Sequence, residues 1–189
     1  MACLPVIIEG FDIVYAIDIS GSMGRTIAAV KVATNTFSAM YRTNPDFRFG
    51  LVVFPSNRAD GTSEVLLRLS DFTTFETALT PVTTGGGGSE PNWDVVAQLG
   101  TGELDMGWRR GTIRIIILFS DEPGQSYTTP RNSESTMCAA LTHGEVLAVV
   151  ERTSMFFQFD ECGLTFELTD DPVAMVMNLS TIIADPCAH

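Results

Sequence analysis

Positive charge is scarce in this chain. Of its 189 residues 11 are lysine or arginine, against 23 aspartates and glutamates, and Lys31 is the single lysine. The formal charge is −12. No basic stripe exists that could neutralise a phosphate backbone, which argues against a nucleic-acid partner. An acidic surface is compatible with bound cations, and equally with plain solubility. Histidine is nearly missing as well, with only His143 and His189. The four cysteines, Cys3, Cys138, Cys162 and Cys187, contain no C-x-x-C pair, which argues against a zinc site. No Ser/His/Asp or Cys/His arrangement is apparent, so a metal-dependent hydrolase ranks last among the functions considered. The apolar runs are too short to span a bilayer, and Met1–Ile8 lacks the basic stretch that opens a secretory signal. Insertion of this chain into a membrane is therefore not expected.

What is present is enough to fold. Hydrophobic residues make up 45% of the sequence, and the length fits one domain over 1–189 with a core from about 11 to 184. No internal repeat is evident. Cys3 and Cys187 lie almost at the two ends, and domain termini often come close together. A Cys3–Cys187 clasp with Cys138–Cys162 is the preferred pairing, and four buried free thiols are the alternative. The first implies an oxidising, extracellular or cell-surface setting, the second a cytoplasmic one.

The chain is organised around Phe11–Gly24, FDIVYAIDISGSMG. Its continuous apolar run reads as a strand buried on both faces. Asp18, Ser20 and Ser22 follow at alternating positions and offer hard oxygen atoms suited to Mg²⁺, Mn²⁺ or Ca²⁺. The same segment reads equally well as Ser20 or Ser22 capping the next helix. Met23–Tyr41 has helical spacing, with Asn44-Pro45 beyond it. Phe47–Phe54 is a second buried strand, Glu64–Leu69 an edge strand, and Asp71 caps a short helix ended by Pro81. Thr83–Glu90, TTGGGGSE, is a glycine-rich loop that opens a helix at Pro91. Ile113–Phe119, IRIIILF, is the most hydrophobic strand and ends in Ser120-Asp121-Glu122. A helix over Ser133–Leu141, strands over Val146–Val150 and Leu164–Leu168, and a final helix from Pro172 through Ile183 complete the series. On that last helix Val176, Leu179, Ile182 and Ile183 form the inner face. Alternating strands and helices predict an α/β, doubly wound three-layer sandwich: a mostly parallel sheet, one antiparallel edge strand, helices on both faces.

Asp-Ile-Ser-Gly-Ser after the first strand, the glycine-rich loop before a central helix, and Leu-Phe-Ser-Asp-Glu-Pro-Gly after the central strand together resemble a von Willebrand factor A (vWA) domain. The resemblance runs from about Phe11 to the last helix. It implies a metal-ion-dependent adhesion site (MIDAS), in which Mg²⁺ is held by protein oxygens and waters with one position left for an acidic group of a partner. Asp18, Ser20, Ser22 and Asp121 match the family pattern. In the second loop Asn92 falls where many members have glutamate, Ser89 where they have aspartate, and Thr83 or Thr84 could serve as the threonine others use. An inward-turned Glu90 is a further option. The acidic pair that builds the accessory calcium site of integrin β chains is replaced by Arg25 and Thr26. The function implied is a cation-dependent adhesion or binding domain whose ligand is a protein presenting a carboxylate. Its alternative is an intracellular scaffold subunit partnering an ATPase of the MoxR type. Either fits a chain that is one part of a larger protein or assembly.

Overall fold

A computed structural model of the chain describes residues 9–55, 63–85, 89–151, 158–159 and 161–184, the last three by backbone alone. Cys3 and Cys187 lie outside the described residues. The elements in chain order are β1 (Phe11–Asp18), a 3-10 turn (Gly21–Gly24), α1 (Ile27–Ala39), β2 (Phe47–Phe54), β3 (Glu64–Ser70), α2 (Phe72–Leu79), α3 (Asn92–Thr101), β4 (Ile113–Phe119), α4 (Glu134–Ala140), β5 (Val146–Glu151), β6 (Gly163–Glu167) and α5 (Pro172–Ala184).

The six strands form one sheet in the order β3-β2-β1-β4-β5-β6. All neighbours run parallel except β3, which pairs antiparallel with β2 at the edge. Strands walled on both faces need no polar side, hence the unbroken apolar runs of β1 and β4. Their successive side chains point to opposite layers. Ile13, Tyr15 and Ile17 of β1 join Ile115, Ile117 and Phe119 of β4 in a core shared with α1, α2 and α5. Val14 and Ala16 join Ile116 and Leu118 in a second core beneath α3 and α4. The result is the doubly wound, three-layer α/β sandwich expected.

Strand order places the site. The chain proceeds outward from β1 through β2 to β3, then returns to the other side of β1 and proceeds outward again through β4, β5 and β6. The reversal falls between β1 and β4, whose register pairs Ile17 with Phe119. In open parallel sheets the loops diverge at such a point and leave a crevice beyond the carboxyl ends of the strands. Asp18 and Ser120-Asp121 sit at that crevice.

Most boundaries fall within a residue or two of expectation, and the caps are visible. Asp71 accepts from the Thr74 N–H at 2.9 Å, Ser133 and Thr136 form a capping box, and Asp171 accepts from the Val173 N–H at 2.9 Å. On α5 Met175 and Leu179 are fully buried and Val176 half-buried. The helix expected over Met23–Tyr41 is the main departure. It breaks into the 3-10 turn and α1, with Arg25 and Thr26 between. Gly24 weakens the helix there, and the Thr26 hydroxyl bonds the Met23 carbonyl at 3.2 Å.

Cys138 of α4 and Cys162, just before β6, are joined by a disulfide with Cα atoms 5.7 Å apart. No described helix is long and apolar enough to cross a membrane.

Candidate metal centre

Three loops meet beyond the β1–β4 boundary. The first turns on Asp18, which is completely buried. Its Oδ1 accepts the Ser20 backbone N–H at 2.8 Å, which folds Asp18-Ile19-Ser20 into a tight turn. Its Oδ2 accepts the Ser120 hydroxyl at 2.8 Å, so the ends of β1 and β4 are tied through side chains. The Ser20 and Ser22 hydroxyls lie 2.9 Å apart, and Ser22 donates to Asp121 Oδ1 at 2.9 Å. Asp18, Ser20, Ser22 and Asp121 thus form one contiguous group of oxygens. The capping alternative fails here: Ser20 precedes the 3-10 turn and makes no side-chain cap bond, nor does Thr26 before α1.

The electrostatics suit a cation. Burial pushes the Asp18 carboxyl up to about 6; its hydrogen bonds with Ser20 and Ser120 oppose this, and the Asp121 charge adds to the rise. Glu90 is also buried, 6% exposed. Desolvation, then the charges of Asp18, Glu122 and Asp121, raise its carboxyl above the ordinary value. Asp18 and Glu90 are thus desolvated acids with the Asp121 charge nearby, an arrangement that a divalent ion would relieve. Among the described residues no three His, Cys, Asp or Glu side chains gather closely enough to hold a metal by themselves. A cation here depends on the serine hydroxyls, and hard oxygen donors of this kind suit a hard ion.

The second loop is pinned beside the first. The Gly85 N–H donates to the Ile19 carbonyl at 2.9 Å, with half-buried Thr84 just before it and half-buried Ser89 beyond the undescribed 86–88. Thr84 is thereby carried next to the first loop, and Glu90, the acid of this loop, turns inward.

Asn92 has another occupation. Its Oδ1 accepts the backbone N–H groups of Trp93 at 2.9 Å and Gln125 at 2.6 Å. Its Nδ2 donates to the carbonyls of Glu122 at 3.1 Å and Pro123 at 2.9 Å. Every donor and acceptor of the amide is thus engaged with backbone, and the carbonyl oxygen expected as a metal ligand instead holds the loop after β4.

Two turns of that loop are held from α3. Asp94, 3% exposed, accepts the Ser126 hydroxyl at 2.6 Å, the Tyr127 N–H at 2.6 Å and the Asn132 amide at 2.7 Å. Gly124 lies against the Trp93 indole, where an added Cβ would fall 2.2 Å from the ring. The first turn of α3 therefore shapes the segment that carries Asp121. Sequence reading missed Asp94 and the Ser120 link. The one signal was Asn92-x-Asp94 at a helix start, facing a Ser/Thr/Asn-rich stretch over 125–133.

Fold and site together define the class: the chain has a von Willebrand factor A-like fold with its serine-aspartate loops at the switch point. Solved structures of proximal thread matrix protein 1 from the mussel byssus share that fold. One, with a zinc-occupied MIDAS motif, is 18% identical at a TM-score of 0.66 over 94% of this chain and 45% of that one. A second crystal form gives 14% identity and a TM-score of 0.69 over 95% of this chain and 49% of that one. The chain thus spans about half the length of these structures. No family model and no curated protein matches the sequence.

Two outcomes follow from this geometry. Asp18 has a folded-state carboxyl raised above its unfolded value, so its contribution to stability is present below about pH 4 and is lost as pH rises through about 6. Chemical denaturation of metal-free protein should show wild type losing on the order of 2–3 kcal/mol relative to Asp18→Asn between pH 4 and 7. A pH-independent difference would contradict this. Asn92→Ala strips partners from four backbone groups and should lower stability by about 2–4 kcal/mol, with faster amide exchange over 124–126. Unchanged exchange there would remove the clamp.

Proposed function

We propose that this chain is a non-enzymatic binding domain that holds a divalent cation and, through it, engages an acidic group of a protein ligand. The observation that carries the reading is the hydroxyl–carboxylate chain Asp18–Ser120 and Ser20–Ser22–Asp121 at the sheet's switch point. Asp18, Ser20, Ser22 and Asp121 would hold the ion. Glu90 would stand behind it, and Thr84 is the candidate from the second loop. Asn92 is a clamp in this reading and not a ligand. The bound ion would supply one electrophilic position for a carboxylate.

Hard oxygen donors favour Mg²⁺, with Mn²⁺ and Ca²⁺ as close competitors. The zinc-occupied motif of the mussel protein adds Zn²⁺ to the ions worth testing. An extracellular setting is supported by the Cys138–Cys162 disulfide and by the likeness to a byssal matrix protein. The same disulfide weighs against an intracellular scaffold beside a MoxR-type ATPase. Among the described residues no histidine stands at the site: His143 precedes β5, at the end of the sheet opposite it, and His189 lies outside the described residues.

Calorimetric titration of Mg²⁺, Mn²⁺ and Zn²⁺ into metal-free protein tests the reading. Wild type should bind one equivalent, and Asp18→Ala and Asp121→Ala should each weaken binding at least about tenfold, since each removes a charged ligand. Equal heats from all three proteins would end it.

A further inference from the structure

Beside Ser22 and Asp121 the surface dips into a cleft of about 240 Å³, whose other walls are Arg25, Thr26, Leu168 and Asp170. Arg25 stands in the link between the 3-10 turn and α1 and is exposed. Four basic side chains elsewhere are engaged, Arg109 with Asp12, Arg114 with Glu145, Arg68 with Asp105, and Lys31 on the carbonyls of Thr80 and Val82. Arg25, by contrast, makes no hydrogen bond or ion pair among the described residues. In a chain of formal charge −12, a guanidinium held without a partner on a cleft it shares with Asp121 invites an anion from outside.

We propose that Arg25 is the second anchor of the ligand site, so that the partner is an acidic peptide segment with two neighbouring carboxylates. This rests on the cation-site reading. One carboxylate goes to the ion, and the other is taken by the Arg25 fork, whose planar donors match a carboxylate two-pronged. Charge balance gives the reason. Asp18 and Asp121 already offset a divalent ion, and Glu90 lies close enough to feel the charges of both. The ion alone therefore draws only weakly on an anionic partner, and a positive group at the rim restores the attraction. Asp170, exposed on the same cleft, repels a further acid, so the residue facing it is neutral or basic. Leu168 supplies apolar surface for the methylenes of a glutamate.

The probes are acetyl-Gly-Glu-Glu-Gly-amide and acetyl-Gly-Glu-Gly-Gly-amide, titrated into Mg²⁺-loaded protein and followed by NMR shifts of the loop amides. Wild type should prefer the two-acid peptide by about tenfold. Arg25→Ala should erase that preference while leaving Mg²⁺ affinity and thermal stability unchanged, since the side chain has no internal partner, and Arg25→Lys should keep part of it. Equal affinity of wild type for both peptides, no binding of either, or a preference that survives Arg25→Ala overturns the inference while Mg²⁺ binding leaves the cation site standing. Absence of Mg²⁺ binding to wild type overturns both.

Discussion

The contact on which the site depends is the 2.8 Å hydrogen bond from Ser120 to Asp18. It joins the ends of two parallel strands where the winding of the sheet reverses. With Asp18 also gripping the Ser20 N–H, the first loop cannot lift from β1 without breaking its tie to β4. The Ser22–Asp121 bond then closes the circuit on the outer side. All of this is held by a carboxylate that burial disfavours in its charged form. The sheet beneath supplies the stability that permits it: two apolar cores clamp β1 and β4 from either face. Among the described residues the neighbours of this buried acid are hydroxyls and another acid, an environment in which perturbed carboxyls gather at functional sites.

The scaffold was legible because buried parallel strands leave an unmistakable trace. IRIIILF and FRFGLVVF cannot be solvent-facing, and each is followed by residues that stop a strand. Capping residues Asp71 and Ser133 were equally plain, since their partners lie within three positions. Asp18, Ser20, Ser22 and Asp121 could be picked out because their spacing is local to two strand ends, and the structure brings those four together.

What sequence could not convey were couplings over distance. Asn92 looks like a short oxygen donor in a glutamate's place. Nothing nearby reveals that its amide is occupied by backbone about 30 positions on. Glu90 turns inward because Asn92 and Trp93 are drawn toward the loop after β4, which periodicity does not encode. The break at Arg25-Thr26 escaped for a milder reason: apolar spacing continues through it, while Gly24 and the Thr26 hydroxyl interrupt the backbone. That break leaves Arg25 exposed beside Asp121, and so bears on which ligand the cleft would select.

Where an ion settles decides whether these loops form a metal centre. Crystals soaked in Mn²⁺ and measured at the manganese absorption edge would locate it directly. A single strong anomalous peak is expected among the oxygens of Asp18, Ser20, Ser22 and Asp121, with Asn92 still bound to the backbone of 122–125. A peak elsewhere, or none at those side chains, would contradict the metal centre.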